Sequence, residues 1–306
     1  MNRNIFSSLQ TYRFQAGLSN QIAGQWSEEQ AYDWFASQPL LTGCNFIPSN
    51  AANQFDMWQD QTFNQDTIDQ ELGFARSLGF NTMRVFLHNL AWQYDPEGLK
   101  NRMETYLALA ASHEIKTVFV LLNDFTKSTG TRGVVQSPGQ EEVGNLSAYS
   151  QLESYVVDIL SHFANDERVL MWDLYNEPGN SALFNESVPL LKRAFEWAWS
   201  VRPSQPLTVG TWNYTEQFDL LNTMSLFYSD VVSFHHHENS PAIERVITKV
   251  NGYQRPVVCT EYTSEPTGAN AAMTLTALRK NEIGAISDGQ ELTLLLEATV
   301  TEVALV

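Results

Sequence analysis

Two glutamates sit where a charge is expensive unless something uses it. Glu177 closes the apolar run WDLYN and precedes Pro178, and Glu261 closes the run VVCT. An ionised carboxylate at the edge of a buried strand is costly to desolvate without a partner or a task. Paired carboxylates facing one cleft are the equipment for glycosidic cleavage: one protonates the leaving oxygen, the other attacks or stabilises the oxocarbenium-like centre. Further polar residues stand where other apolar runs stop: Asn45, Arg84, His88, Asn123, Asp124, Asn176, Trp212, Asn213, His235 and His237.

Those stopping points need elements to gather them. Short apolar runs at about 41–46, 81–87, 116–122, 169–175, 206–211, 230–235, 256–260 and 283–287 alternate with amphipathic helical patterns. Such alternation argues for parallel strands joined by crossover helices. Asp66 can cap a helix beginning at Thr67, with Ile68, Leu72 and Ala75 on one face. Leu99, Met103, Tyr106 and Ala110 mark a second helix, and Leu191, Ala194, Phe195 and Ala198 a third. A doubly wound sheet would want a Gly-rich first turn that this chain lacks. The expected fold class is therefore α/β, a (β/α)8 TIM barrel, in which all strand ends converge on one rim. Glu177 on the fourth strand and Glu261 on the seventh then face each other across the mouth. The irregular stretch 123–145 follows the third strand and is expected on that same face.

The 306 residues carry 18 Lys+Arg against 35 Asp+Glu, a formal net charge of -17. That sign repels a phosphate backbone and an anionic membrane surface, which leaves a neutral substrate. No apolar run is long enough to cross a bilayer, and the first residues lack the pattern of a secretory signal, so the expected location is cytoplasmic by default. Cys44 and Cys259 lie in apolar stretches and read as buried free thiols. The expected organisation is an N-terminal extension over 1–25, a catalytic barrel over 26–287 and an atypical C-terminal tail over 288–306.

The runs MRVFLH, WDLYNEPGN, SFH and VVCTEYT together resemble the retaining glycoside hydrolases of clan A. The resemblance is to cellulase-like members near glycoside hydrolase family 5, relatives often labelled cellulase or β-1,4-xylanase, and extends from about Trp26 to GAIS. It implies a double-displacement hydrolysis of β-linked glycans, cellulase-, xylanase- or mannanase-like, without cofactor or metal. Glu177 would be the acid/base and Glu261 the nucleophile. Asn176 would hold the sugar 2-hydroxyl, Arg84 would keep Glu261 ionised, and His235 would orient the site. Retention requires carboxyl groups about 5–5.5 Å apart. Trp212 is expected to stack on sugar, ahead of Trp58 and Trp92. Asn45, His88 and Tyr262 are further candidate substrate contacts.

The chain departs from these relatives in three places, one of them the loop after the third strand, which is shorter than expected and lacks their tryptophan. His237 stands where they tend to have tyrosine, and Asp288 with GQELTLLLEATVTEVALV stands where they continue GAIS with a tryptophan and a closing helix. Residues 300–306 alternate like a strand, so the closing segment reads as atypical or incomplete. Asp288 and the tail motivate an alternative, a catalytically impaired carbohydrate-binding barrel. His235, His236 and His237 motivate a third reading, a metal-dependent hydrolase. Strand neighbours point to opposite faces, however, so only His235 and His237 share a side, and zinc usually takes three protein ligands.

Overall fold

A computed structural model of the chain describes residues 22–124, 128–130, 133–135, 143–180, 182–238, 240–262 and 271–288. All eight expected strands form: β1 (Thr42–Asn45), β2 (Thr82–Phe86), β3 (Lys116–Asn123), β4 (Val169–Asn176), β5, β6 (Val232–His236), β7 (Val257–Tyr262) and β8 (Gly284–Ser287). The fifth is broken at Val209 into Leu207–Thr208 and Gly210–Thr211. Its first half pairs with β4 and its second with β6, so the ring of parallel strands closes through the break. β1 pairs with β8 on the other side, Thr42 opposite Ala285 and Cys44 opposite Ser287. The result is the expected TIM barrel. Residues 289–306, where the atypical closing segment was expected, lie outside the described residues.

Helices follow the first seven strands, among them Gln65–Ser77, Pro96–Ser112, Tyr149–His162 and Val188–Val201. The first begins two residues before the expected start. Asn64, and not Asp66, is its cap, accepting a hydrogen bond from Thr67 N at 3.0 Å. Ile68, Leu72 and Ala75 are buried as the period requires, as are Leu99, Met103, Tyr106 and Ala110 on the second helix. Within 123–145 the chain forms an antiparallel hairpin of Ser128–Gly130 and Gly133–Val135, order that the Gly- and Ser-rich sequence did not announce.

The alternation of strand side chains divides the interior. Outward-facing Met83, Val85, Trp172 and Leu174 join the helices in a large apolar layer, with Phe119 and Trp172 stacked at 5.6 Å. Inward-facing Leu41, Val118, Met171, Val231, Val258 and Ile286 plug the barrel from within. Above this plug the inward side chains become polar: Thr208 donates to Ser233 at 2.9 Å, and over that pair lie Arg84, Asp173 and His235. The N-terminal end is tied shut by Asp230, which accepts from Trp26 N and Leu207 N and pairs with Arg202 at 3.0 Å. Both cysteines are buried free thiols, as expected. No described helix is long and apolar enough to cross a membrane.

Candidate active site

Arg84 organises the polar layer. On β2 its neighbours Met83 and Val85 face the outer core, which aims the guanidinium into the barrel. There it is fully buried and grips four side chains. Nε and Nη2 donate to Asp173 Oδ2 at 3.2 and 2.7 Å, and Nη2 also to Asn176 Oδ1 at 2.6 Å. Nη1 donates to Glu261 Oε1 at 2.6 Å and to Asn45 Oδ1 at 3.1 Å. Burial works against the cation, but the charges of Asp173 and Glu261 outweigh it and raise the pKa further. Arg84 is a fixed positive charge at every accessible pH.

Glu261 reaches this charge because β7 is irregular. Val258 faces the interior plug and Cys259 the outer layer, so plain alternation would turn Glu261 outward with Cys259. The register to β6 slips between them: Cys259 lies opposite Phe234 but Glu261 opposite His235, leaving Thr260 as an extra residue. This β-bulge re-aims the carboxylate into the barrel. Its Oε1 accepts from Arg84 and, at 2.9 Å, from Asn45 Nδ2. Burial pushes its pKa up, but the His235 charge, a hydrogen bond from His237, Arg84 and Asn45 together hold it well below the usual carboxylate range.

Glu177 is positioned by a strained turn at the end of β4. Its N–H still donates to Gly210 O of β5 at 3.0 Å, and the backbone then swings left-handed, φ +50° at Glu177 and +84° at Gly179. A non-glycine residue held there costs on the order of 1–3 kcal/mol unless the surroundings impose it. Asp124 imposes it. Its buried carboxylate accepts from Gly179 N at 2.8 Å, Ser187 Oγ at 2.7 Å and Tyr175 OH at 2.8 Å. Burial dominates these three bonds and pushes the Asp124 carboxyl up to about 6. The Glu177 carboxylate itself accepts from Asn180 Nδ2 through Oε2 at 2.8 Å and meets His235 Nδ1 through Oε1 at 2.8 Å.

The two carboxylates thus face each other with matching asymmetry. Each has one oxygen secured by amide or guanidinium donors and the other turned toward a histidine pair. His235 Nδ1 stands 3.7 Å from Glu261 Oε2, and His237 Nε2 stands 3.5 Å from Glu261 Oε2 and 3.9 Å from Glu177 Oε1. One donor atom from each of the four residues lies within 4.8 Å of all the others. Glu177 is 5% exposed at the side chain, Glu261 12% and His237 29%, so the group opens to solvent on the His237 side. Chemically, such a cluster can deliver a proton from one side and a carboxylate nucleophile from the other.

The remaining expected site residues fall into two groups. Asn176, Arg84, His235, His237 and Asn45 converge with the glutamates; Asn176 also donates to Asn123 Oδ1 at 2.9 Å. Trp212 is half-buried just past β5, its ring edge-on to Phe218 at 5.3 Å. Tyr262 lies past the bulge on the outward side and packs in the apolar layer with Cys259. His88 is buried, caps the helix Asn89–Tyr94 through Nδ1 and lies against Phe55. Trp58 donates to Phe86 O from the core, and Trp92 to Asp158. Two residues escaped the sequence reading. Asp173 pairs with Arg84, a need signalled by a charge at an inward position of an apolar strand; Asn180, which holds Glu177, left no signal beyond its proximity.

Comparison with protein-family models and with curated proteins finds no match. Comparison with solved structures does. A GH5_18 protein from Streptomyces cattleya in complex with Manβ1-4GlcNAc aligns at a TM-score of 0.65 and 14% identity, over 82% of this chain and 70% of that one. An endo-β-1,4-mannanase from Thermotoga petrophila aligns at 0.59 and 17%, over 80% and 68%. A β-mannanase from the blue mussel Mytilus edulis aligns at 0.60 and 16%, over 81% and 86%. The chain has the TIM-barrel fold of these glycoside hydrolases, as its motifs implied.

Proposed function

We propose that this chain, built on the barrel fold of clan A glycoside hydrolases, is a retaining β-glycoside hydrolase working by double displacement. The observation that carries the reading is the facing pair at the ends of β4 and β7, with carboxylate oxygens of Glu177 and Glu261 within 4.8 Å. Retaining enzymes hold their carboxyl groups about 5–5.5 Å apart, whereas inversion needs about 6.5–9.5 Å to admit a water between them. A separation of no more than 4.8 Å between these oxygens falls on the retaining side of that divide.

The environments divide the roles. Glu261, hydrogen-bonded to Arg84 and Asn45 and ionised throughout the working range, attacks the anomeric carbon as the nucleophile. Glu177 approaches the other side of the bond, donates its proton to the leaving oxygen, and then takes a proton from the water that hydrolyses the glycosyl-enzyme. Asn176, fixed by Arg84 and Asn123, offers its amide to the 2-hydroxyl, and Trp212 offers a ring face beside the mouth. The mannanases among the structural neighbours make β-1,4-mannosides the first substrates to try, with β-glucosides and β-xylosides beside them.

Purified protein tested on aryl β-mannosides, β-glucosides and β-xylosides, with the first-formed sugar followed by NMR, decides the matter. Turnover with a β-configured first product is expected. No turnover on any substrate, or an α-configured first product, overturns the proposal.

A further inference from the structure

The histidine pair and the two glutamates make a second kind of site. We propose that Glu177, His235, His237 and Glu261 form a binding site for a borderline divalent transition metal, of the Zn2+ class, whose occupancy blocks the cleft.

The geometry is close to what such an ion requires. With Zn–N and Zn–O bonds of about 2.0–2.2 Å, the donors of a tetrahedral site lie about 3.3–3.6 Å from one another. The four histidine–carboxylate edges measure 2.8 Å (His235–Glu177), 3.7 Å (His235–Glu261), 3.9 Å (His237–Glu177) and 3.5 Å (His237–Glu261). These bracket the tetrahedral edge, and no donor pair is farther apart than 4.8 Å. The short edge is a hydrogen bond that a cation replaces, releasing its proton.

The donors are also oriented for it. The secured oxygens are Glu177 Oε2, which accepts from Asn180, and Glu261 Oε1, which accepts from Arg84 and Asn45. The oxygens left facing the imidazoles are Glu177 Oε1 and Glu261 Oε2, so a metal displaces none of the amide or guanidinium bonds. Those bonds act as an outer shell that fixes the carboxylates. His235 is held in place from behind by Gly210, and His237 sits at the solvent side, where an ion would enter.

Charge favours the ion as well. In the deprotonated form that a metal requires, with the carboxylates of Asp173, Glu261 and Glu177 ionised and both imidazoles neutral, Arg84 balances one of three negative charges and leaves two. A dication neutralises them. Two imidazoles with two carboxylates suit Zn2+ and its transition-metal neighbours, whereas Mg2+ prefers an octahedral set of oxygens. His237 is the residue that completes the set, since without it three donors remain.

The blocking consequence rests on the glycosidase reading, because a bound ion ties up both carboxylates that this reading makes acid/base and nucleophile. The site itself does not, and its test uses no turnover. Zn2+ alone is titrated calorimetrically into full-length protein carrying no polyhistidine tag, followed by zinc-edge X-ray absorption. One ion per chain, with two imidazoles in the coordination shell and no comparable heat from Mg2+, is the expected result. His237→Ala and His237→Tyr should each weaken binding at least tenfold while circular dichroism stays unchanged. Absence of stoichiometric binding, a shell without imidazole, or unchanged affinity in both variants overturns the site. If zinc binds as expected but no glycoside is turned over, the site stands and the glycosidase reading falls. If glycosides are turned over and zinc does not bind, the reverse holds.

Discussion

Arg84 and Glu261 meet at 2.6 Å inside the barrel, with the guanidinium fully buried and the carboxylate 12% exposed. The same guanidinium holds Asp173 at 2.7 Å, so one cation sets both the charge of the candidate nucleophile and the integrity of the polar layer beneath it. Removing a partner from a buried pair leaves an uncompensated charge, which costs about 3–5 kcal/mol.

Arg84→Lys therefore separates the two duties. Lysine keeps the charge but cannot fork to Asp173, Asn176 and Glu261 at once. The expected outcome is a folded protein with a lower melting temperature and a kcat/KM at least about a hundredfold down, comparable to losing an electrostatic stabiliser of the transition state. Thermal melts alongside kinetics on an aryl glycoside check it. Wild-type kcat/KM in a folded Arg84→Lys protein would remove Arg84 from the mechanism.

Azide distinguishes the two glutamates by stereochemistry. In Glu177→Ala, Glu261 still forms the glycosyl-enzyme, and azide then displaces it, so two inversions give a β-glycosyl azide. In Glu261→Ala no covalent intermediate forms, and azide entering the vacated space inverts once to the α-glycosyl azide. An aryl glycoside with a good leaving group and NMR of the product read the result. Swapped anomers would exchange the roles.

Much of this arrangement was legible in the sequence because strand runs end abruptly in chemistry. The eight strands followed from the alternation of apolar runs with helical patterns, Arg84 and the two glutamates from their positions at strand ends, and their roles from the resemblance. What was not legible depends on departures from regularity. The Thr260 bulge turns Glu261 inward and Tyr262 outward, and strict alternation reads both the other way. The break at Val209 splits β5 between two neighbours, and the left-handed Glu177 depends on Asp124, more than fifty residues away in sequence, which the Tyr175 and Ser187 hydroxyls hold in place. The helix cap at Asn64 escaped because Asp66 is as good a capping residue and lies two positions on.

Asp124 gives a pH dependence of known sign. Its carboxyl is pushed up to about 6 in the fold from an ordinary value of 3.8. Between those values the folded chain binds more protons at this site than the unfolded chain, so this contribution to stability falls as pH rises through the window. Asp124→Asn can keep the Gly179 and Tyr175 hydrogen bonds and cannot titrate. Denaturant melts from pH 4 to pH 7 should show the wild type losing stability relative to the variant as pH rises. Identical slopes would mean that Asp124 does not titrate in that range.

Gly210 tests how tightly the histidine pair is placed. A Cβ there would lie 2.6 Å from His235 Nε2 and 3.3 Å from Asp173 Oδ2, under the van der Waals limit for the first. His235 is buried with Glu177 at its other nitrogen, so it can retreat only by pressing on that carboxylate. Its N–H neighbour also matters: Gly210 N donates to Asp173 Oδ1 at 3.2 Å, and Gly210 O accepts from Glu177 N at 3.0 Å. Overpacking of this kind costs about 1–3 kcal/mol, and displacement of a reacting group by about 1 Å costs on the order of a hundredfold in rate. Gly210→Ala should thus lose kcat far more than it raises KM, because the sugar-binding face is untouched while Glu177 moves. Kinetics on the best aryl glycoside, with a melt to confirm folding, measure both; a change confined to KM would show that His235 does not transmit the strain to the acid.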